Sequence, residues 1–155
     1  MLLERPVSGL RAEIPLPPRP PARRRAYVPA LAALVALVLH LAGNAHYGFF
    51  RDELYFIICG MRPDLGYVDQ PPLTPLLAAF SQMFGVSLFA LRAIPAVFAA
   101  ITTYVACTFA IELGGGLFAV IIAALVTIVS PELMAFGARV WPDMIEVATW
   151  SVIAL

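Results

Sequence analysis

In 155 residues the chain carries 61% hydrophobic and only 13% charged residues, ten Lys+Arg against ten Asp+Glu. A soluble domain has about 25% charged residues, so this composition excludes an ordinary water-exposed surface and points to a membrane protein. The even charge balance removes the global positive field that nucleic-acid binding draws on, and no nucleic-acid partner is expected.

All ten basic residues are arginines, and Arg5, Arg11, Arg19, Arg23, Arg24 and Arg25 precede Tyr27. The stretch "PLPPRPPARRR" can neither continue a helix nor bury a core, so residues 1–26 are expected to be a disordered Arg/Pro-rich tail. The apolar run "YVPALAALVALVLHLAG" follows, close to the roughly 20 residues that a spanning helix needs; it predicts a first span over about 27–44. A cleaved signal peptide is the competing reading, since "GNA" at 43–45 has suitable small residues. The long preceding region and the further apolar runs favour an uncleaved span. His40, inside this run, is expected to pack against a neighbouring helix. The arginine cluster keeps the amino terminus cytoplasmic and puts the next connection, about 45–86, outside.

That connection holds "RDELYFIICGMRPDLGYVDQPPLTP", with four acids in a chain that is mostly hydrocarbon. "DELYFIICG" predicts a short helix capped by Asp52 and stopped by Gly60, with Asp52, Tyr55, Phe56 and Cys59 along one face. "YVDQPP" is expected to be extended, because residues before proline avoid the helical region. "TPLLAAFSQMFG" predicts a second juxtamembrane helix with Thr74 as N-cap, Pro75 at N1 and Gly85 closing it. A returning span is expected over about 87–111, with Arg92 snorkelling to the head groups from its first turns. "GGG" at 114–116 is a turn. A third span over about 117–138, kinked at Pro131, brings "RVWPD" back outside. A fourth begins at about 144 and stops within a dozen residues, which predicts the amino-terminal part of a longer polytopic protein. The fold class expected is therefore all-α and integral to the membrane, with about four spanning helices, the last incomplete, and two short juxtamembrane helices. Cys59 and Cys107 fall at different expected depths, so no disulfide is anticipated.

Two crossings separate the first outside loop from Asp143, so Asp52, Asp69 and Asp143 can converge at one membrane face. Carboxylates there can take a proton from an attacking hydroxyl or hold a hard divalent cation against a phosphate. Arg51, Arg62 and Arg139 offer fork-shaped donors to phosphate oxygens. Glu53 and Asp64 are more simply read as solvated loop acids, and Glu112, Glu132 and Glu146 as residents of the head-group zone. Asp69, followed directly by Gln-Pro-Pro, sits on a stiff backbone that favours positioning.

"RDELYF", then "GYVDQPPLTPLLA" and later "ARVWPDM", resemble the amino-terminal region of polytopic glycosyltransferases of the type C fold that use lipid-linked sugars. The nearest patterns are those of protein O-mannosyltransferases and bacterial lipid A aminoarabinose transferases, from about Tyr47 onward. The resemblance implies transfer of a sugar from a polyprenyl-phosphate donor to a protein, lipid or cell-wall acceptor at the outer face of the cytoplasmic membrane. It implies Asp52 as the catalytic carboxylate. It places Glu53, Tyr55, Asp69, Gln70 and Arg139 around the substrate or its lipid phosphate, with Asp69 and Asp143 as ligands if a divalent metal is used. Relatives often carry His or Lys where this chain has Gln70, which cannot supply a charge. Two alternatives are a non-catalytic truncated membrane protein and a transporter component. The second predicts acids inside the spans, whereas the notable ones here lie in loops.

Overall fold

The computed structural model describes residues 22–44, 46–83 and 85–155, with side chains from Tyr27 onward. The tail expected over residues 1–21 lies outside the described residues. From Ala22 the chain is already helical, so the first helix begins ahead of the expected start at Tyr27.

Among the described residues the architecture is all-α, with no strand. The helices are α1 (Ala22–Gly43), α2 (Arg51–Met61), α3 (Leu73–Gln82), α4 (Leu88–Glu112), α5 (Leu117–Val129), α6 (Pro131–Gly137) and α7 (Pro142–Ala154). The 25 residues of α4 give about 37 Å at 1.5 Å each, more than the roughly 30 Å of a bilayer's hydrocarbon. By length and apolarity α4 can cross a membrane, and α5 with α6 makes a second candidate if the bent pair is one span. Among the described residues, the apolar part of α1, Tyr27–Gly43, and the 13 residues of α7 are shorter than a full crossing, so one helix, or two with the bent pair, is long and apolar enough to span. The expected kink at Pro131 is a 61° break. Ser130, with φ −56° and ψ 119°, has left the helical region as a residue before proline should.

α4 is the central element and packs against α1, α3, α5, α6 and α7. Its buried side is built from small residues: Ala96, Ala99, Ala100, Thr103 and Cys107 recur every three or four positions. Such a stripe lets helices approach closely without large side chains between them. The bulky residues point the other way: Leu31, Leu34, Val38, Tyr104, Ile121, Leu125 and Val129 are all exposed. The hydroxyls of Thr102, Thr103, Thr108, Thr127, Thr149 and Ser151 each bond the carbonyl four residues back, so none of them asks for water.

Three glycines, Gly60, Gly115 and Gly137, are close-contact residues. A Cβ on Gly137 of α6 would sit in the ring of His40, which is how the histidine, only 8% exposed, packs between α1 and α6. Gly60 does not stop α2, which runs on to Met61. A Cβ there would meet the Ala79 backbone and Gln82, and Gln82 Nε2 donates to Ile57 O at 3.1 Å across the α2–α3 contact. Phe56 and Ile57 of α2, Ala78 of α3, Leu91 of α4 and Val140 form one buried cluster, with Trp141 packed on it. This cluster binds the two short helices to the start of α4 and to the connection before α7. Cys59 and Cys107 are both free thiols.

Candidate functional site at the head of α2

The head of α2 is fixed by a buried arginine. Arg92 donates from Nε to Glu53 Oε1 and from Nη2 to Glu53 Oε2, both at 2.8 Å. Its remaining N–H groups reach three backbone carbonyls: Asn44 O at 2.9 Å, Tyr47 O at 3.1 Å and Gly48 O at 2.8 Å. All five guanidinium donors are used. Arg92 is 4% exposed and Glu53 is fully buried. The expected snorkelling of Arg92 is therefore corrected: the carbonyls of Asn44, Tyr47 and Gly48 and the Glu53 carboxylate bring five acceptors to the guanidinium, which then has no need of head groups.

Glu53 also accepts from Phe50 N–H at 2.9 Å. It is the third residue of α2, reaching back to the N-cap position as in half of a capping box. The N-cap residue is Phe50, so Asp52 is not the cap that the sequence predicted. Glu53, expected to be solvated on its chemistry and substrate-binding on the resemblance, is neither: both its oxygens are committed inside the protein. Asp52, relieved of capping, stands in the first turn of α2 with its side chain 26% exposed.

Asp52 borders an open cavity of about 510 Å³, within the range of roughly 300–1,000 Å³ usual for small-ligand sites. Arg51, Asp52, Tyr55 and Phe56 of α2 form one wall, Asp69 and Gln70 a second, and Trp141 the third. Arg51 Nε meets Asp52 Oδ1 at 3.2 Å, but the Arg51 side chain is 91% exposed, so this pair adds little stability. Among the described residues nothing bonds the other Asp52 oxygen, which can accept a proton or a hydroxyl. The Tyr55 hydroxyl donates to Asp69 Oδ1 at 2.6 Å. Chiefly because of that bond to a carboxylate, and secondarily through Cys59, the phenol's pKa is pushed well above its ordinary value of 10.

Asp69 is held there by its neighbours. Tyr67 OH accepts from Asp64 N at 3.1 Å and lies within bonding distance of Cys59 O and Arg62 O, tying the loop to the end of α2. Tyr67 N donates to Gln70 O at 3.3 Å, so residues 68–70 bend where an extended strand-like path was expected. Pro71 and Pro72 follow. α3 then starts at Leu73 with Pro72 in the N-cap position, two residues ahead of the expected Thr74 cap; Thr74 and Pro75 are buried instead.

Of the remaining residues singled out from sequence, Arg139 lies with its guanidinium 4.8 Å from the Phe50 ring centre and 5.9 Å from that of Trp141. It bridges the head of α2 to the connection before α7 without lining the cavity. Asp143, in the first turn of α7, does not line it either. Among the described residues no three His, Cys, Asp or Glu side chains stand together as a metal site would need. Sequence reasoning passed over Trp141, whose only signal was an aromatic residue at the end of a span, the same signal that an interfacial anchor gives. A second hollow, between α3 and α4, is lined by Leu77, Phe80, Ile94, Val97 and Phe98 and carries no titratable side chain.

No family model, curated protein or solved structure matches the chain.

Proposed function

We propose that the chain is part of a multi-pass glycosyltransferase of the cytoplasmic membrane, with a cytoplasmic amino terminus and the cavity at the outer face. Its donor is a polyprenyl-phosphate sugar. The observation that carries this reading is the cavity itself: Asp52 and Asp69, from the connection after α1, share it with Trp141, which lies beyond α4, α5 and α6. The membrane setting is supported by the many bulky apolar side chains left exposed, Leu31, Leu34, Val38, Ile121, Leu125 and Val129 among them. A soluble monomer rarely exposes an apolar patch above a few hundred Å².

In the proposed reaction the Asp52 carboxylate takes the proton of the acceptor hydroxyl. The acceptor oxygen bonds the anomeric carbon as the bond from that carbon to the phosphate oxygen breaks, and the electron pair leaves with polyprenyl phosphate. A phosphate ester leaving group carries its own negative charge and needs no general acid, so one carboxylate suffices and the configuration inverts. Arg51, at the cavity, and Arg139, on its aromatic ledge beside it, are the cations available to the phosphate. Tyr55 and Gln70 contact the donor from the Asp69 side. Asp69 is also the carboxylate that a divalent ion would use, if one accompanies the donor.

The test uses membranes containing the full-length protein and polyprenyl phosphate bearing a radiolabelled sugar. Label is expected to leave the lipid for an acceptor. Asp52→Asn should slow this by about 10²–10⁴-fold, the usual contribution of a general base, with unchanged insertion. Transfer at the normal rate in Asp52→Asn would refute the assignment, as would no transfer in membranes that hold folded protein.

A further inference from the structure

We infer that Trp141 is the platform on which the donor's sugar ring stacks; this rests on the reading above and adds the residue that recognises the carbohydrate. The cavity has the wrong chemistry for a phosphate alone. Arg51 is its one cation, against the carboxylates of Asp52 and Asp69, and two carboxylates repel a bare anion. A neutral polyol suits them, because each hydroxyl can donate to a carboxylate oxygen or to the Gln70 carbonyl. A pyranose also has an apolar face of C–H bonds, and the cavity supplies one partly exposed indole to meet it.

Trp141 is held as a platform would be. Val140 before it is 2% exposed in the core cluster, and Pro142 after it begins α7. Phe136 meets the indole edge-on, with centroids 6.4 Å apart and planes at 77°. Arg139 lies over the ring. The side chain is therefore ordered before any ligand arrives, and little freedom is lost on stacking. No hydrogen bond engages its indole N–H among the described residues, so this donor can serve a sugar oxygen. An indole whose only task was to fill the core would not need to border a polar cavity.

The experiment exploits the second tryptophan, Trp150, which is 64% exposed on α7. The chain has two tryptophans, so Trp150→Phe leaves Trp141 as the only emitter. The protein, in nanodiscs, is titrated with polyprenyl phosphate and with the same lipid carrying a sugar. Affinities are read in parallel from displacement of a radiolabelled carrier. The sugar-bearing lipid should bind about tenfold more tightly, the scale of one good aromatic contact, and shift the Trp141 emission to the blue. Trp141→Ala should bring the two carriers to within about twofold, and Trp141→Phe should retain part of the preference. Equal affinity for both carriers in the parent protein overturns the inference and leaves the lipid-phosphate reading standing. A preference that survives in a folded Trp141→Ala variant does the same. Failure of both lipids to bind overturns both.

Discussion

Arg92→Met is the substitution with the largest consequence outside the cavity. Methionine keeps much of the volume but leaves Glu53, fully buried, without the guanidinium that neutralises it. Breaking one side of a buried ion pair costs about 3–5 kcal/mol. The carbonyls of Asn44, Tyr47 and Gly48 also lose their donor; those near the surface regain water, so they add about 1 kcal/mol each at most. Against a total stability of about 5–15 kcal/mol, the head of α2 should open long before the rest of the bundle. Cys59, on α2 and 7% exposed, reports this directly. In a Cys107→Ala background, maleimide labelling of Cys59 should accelerate about 10³-fold, since each 1.4 kcal/mol is a factor of ten. The double variant Glu53→Met with Arg92→Met removes the stranded charge and should recover part of the loss, giving a positive coupling in a double-mutant cycle. If Arg92→Met labels within about threefold of the parent, the guanidinium is not paired in the protein and the head of α2 is held by something else.

The Tyr55–Asp69 bond makes a pH prediction with a definite sign. Because the folded phenol's pKa is raised, the bond's contribution is present below the unfolded value of about 10 and is lost as pH climbs beyond it toward the folded value. In a spectrophotometric titration, the phenol signal that Tyr55→Phe removes should ionise above the ordinary value of about 10, and Asp69→Asn should bring it down; a Tyr55 signal that Asp69→Asn leaves in place would contradict the bond. Gly60→Ala has no room against the Ala79 backbone, so it should cost about 1–3 kcal/mol as overpacking does; thermal unfolding in detergent that matches the parent would contradict the tight α2–α3 approach. Gly137→Ala should behave likewise through His40, and pairing it with His40→Ala should relieve the clash.

Much of this architecture was legible because it depends on local rules. Pro131 announces the break after Ser130, and the apolar run from Leu88 announces α4. What escaped was partnership over distance. Arg92 and Glu53 are 39 positions apart, and nothing near either indicates that the carbonyls of Asn44, Tyr47 and Gly48 also meet the guanidinium. Taken alone, each has a sensible surface role: an arginine near a helix start snorkels, and a glutamate in a loop is solvated. The cap was misread for the same reason. Asp52 is the better N-cap by residue type, but Glu53 reaches back to Phe50 from a site that Arg92 already fixes. Asp52 and Asp69 were recognisable as notable acids, and the cavity does bring them together, yet Asp143 falls outside and Trp141 inside. Helical periodicity cannot decide which residue of "RVWPD" turns inward.

The account rests most directly on one side of a membrane holding both the head of α2 and the start of α7. In a cysteine-free background, Asp52→Cys and Asp143→Cys, each introduced alone, would be treated with a membrane-impermeant maleimide on intact cells. Both are predicted to label from outside, and to the same extent after the cells are opened. Labelling of the two from opposite sides, or of both only after lysis, would contradict the placement of the cavity at the outer face.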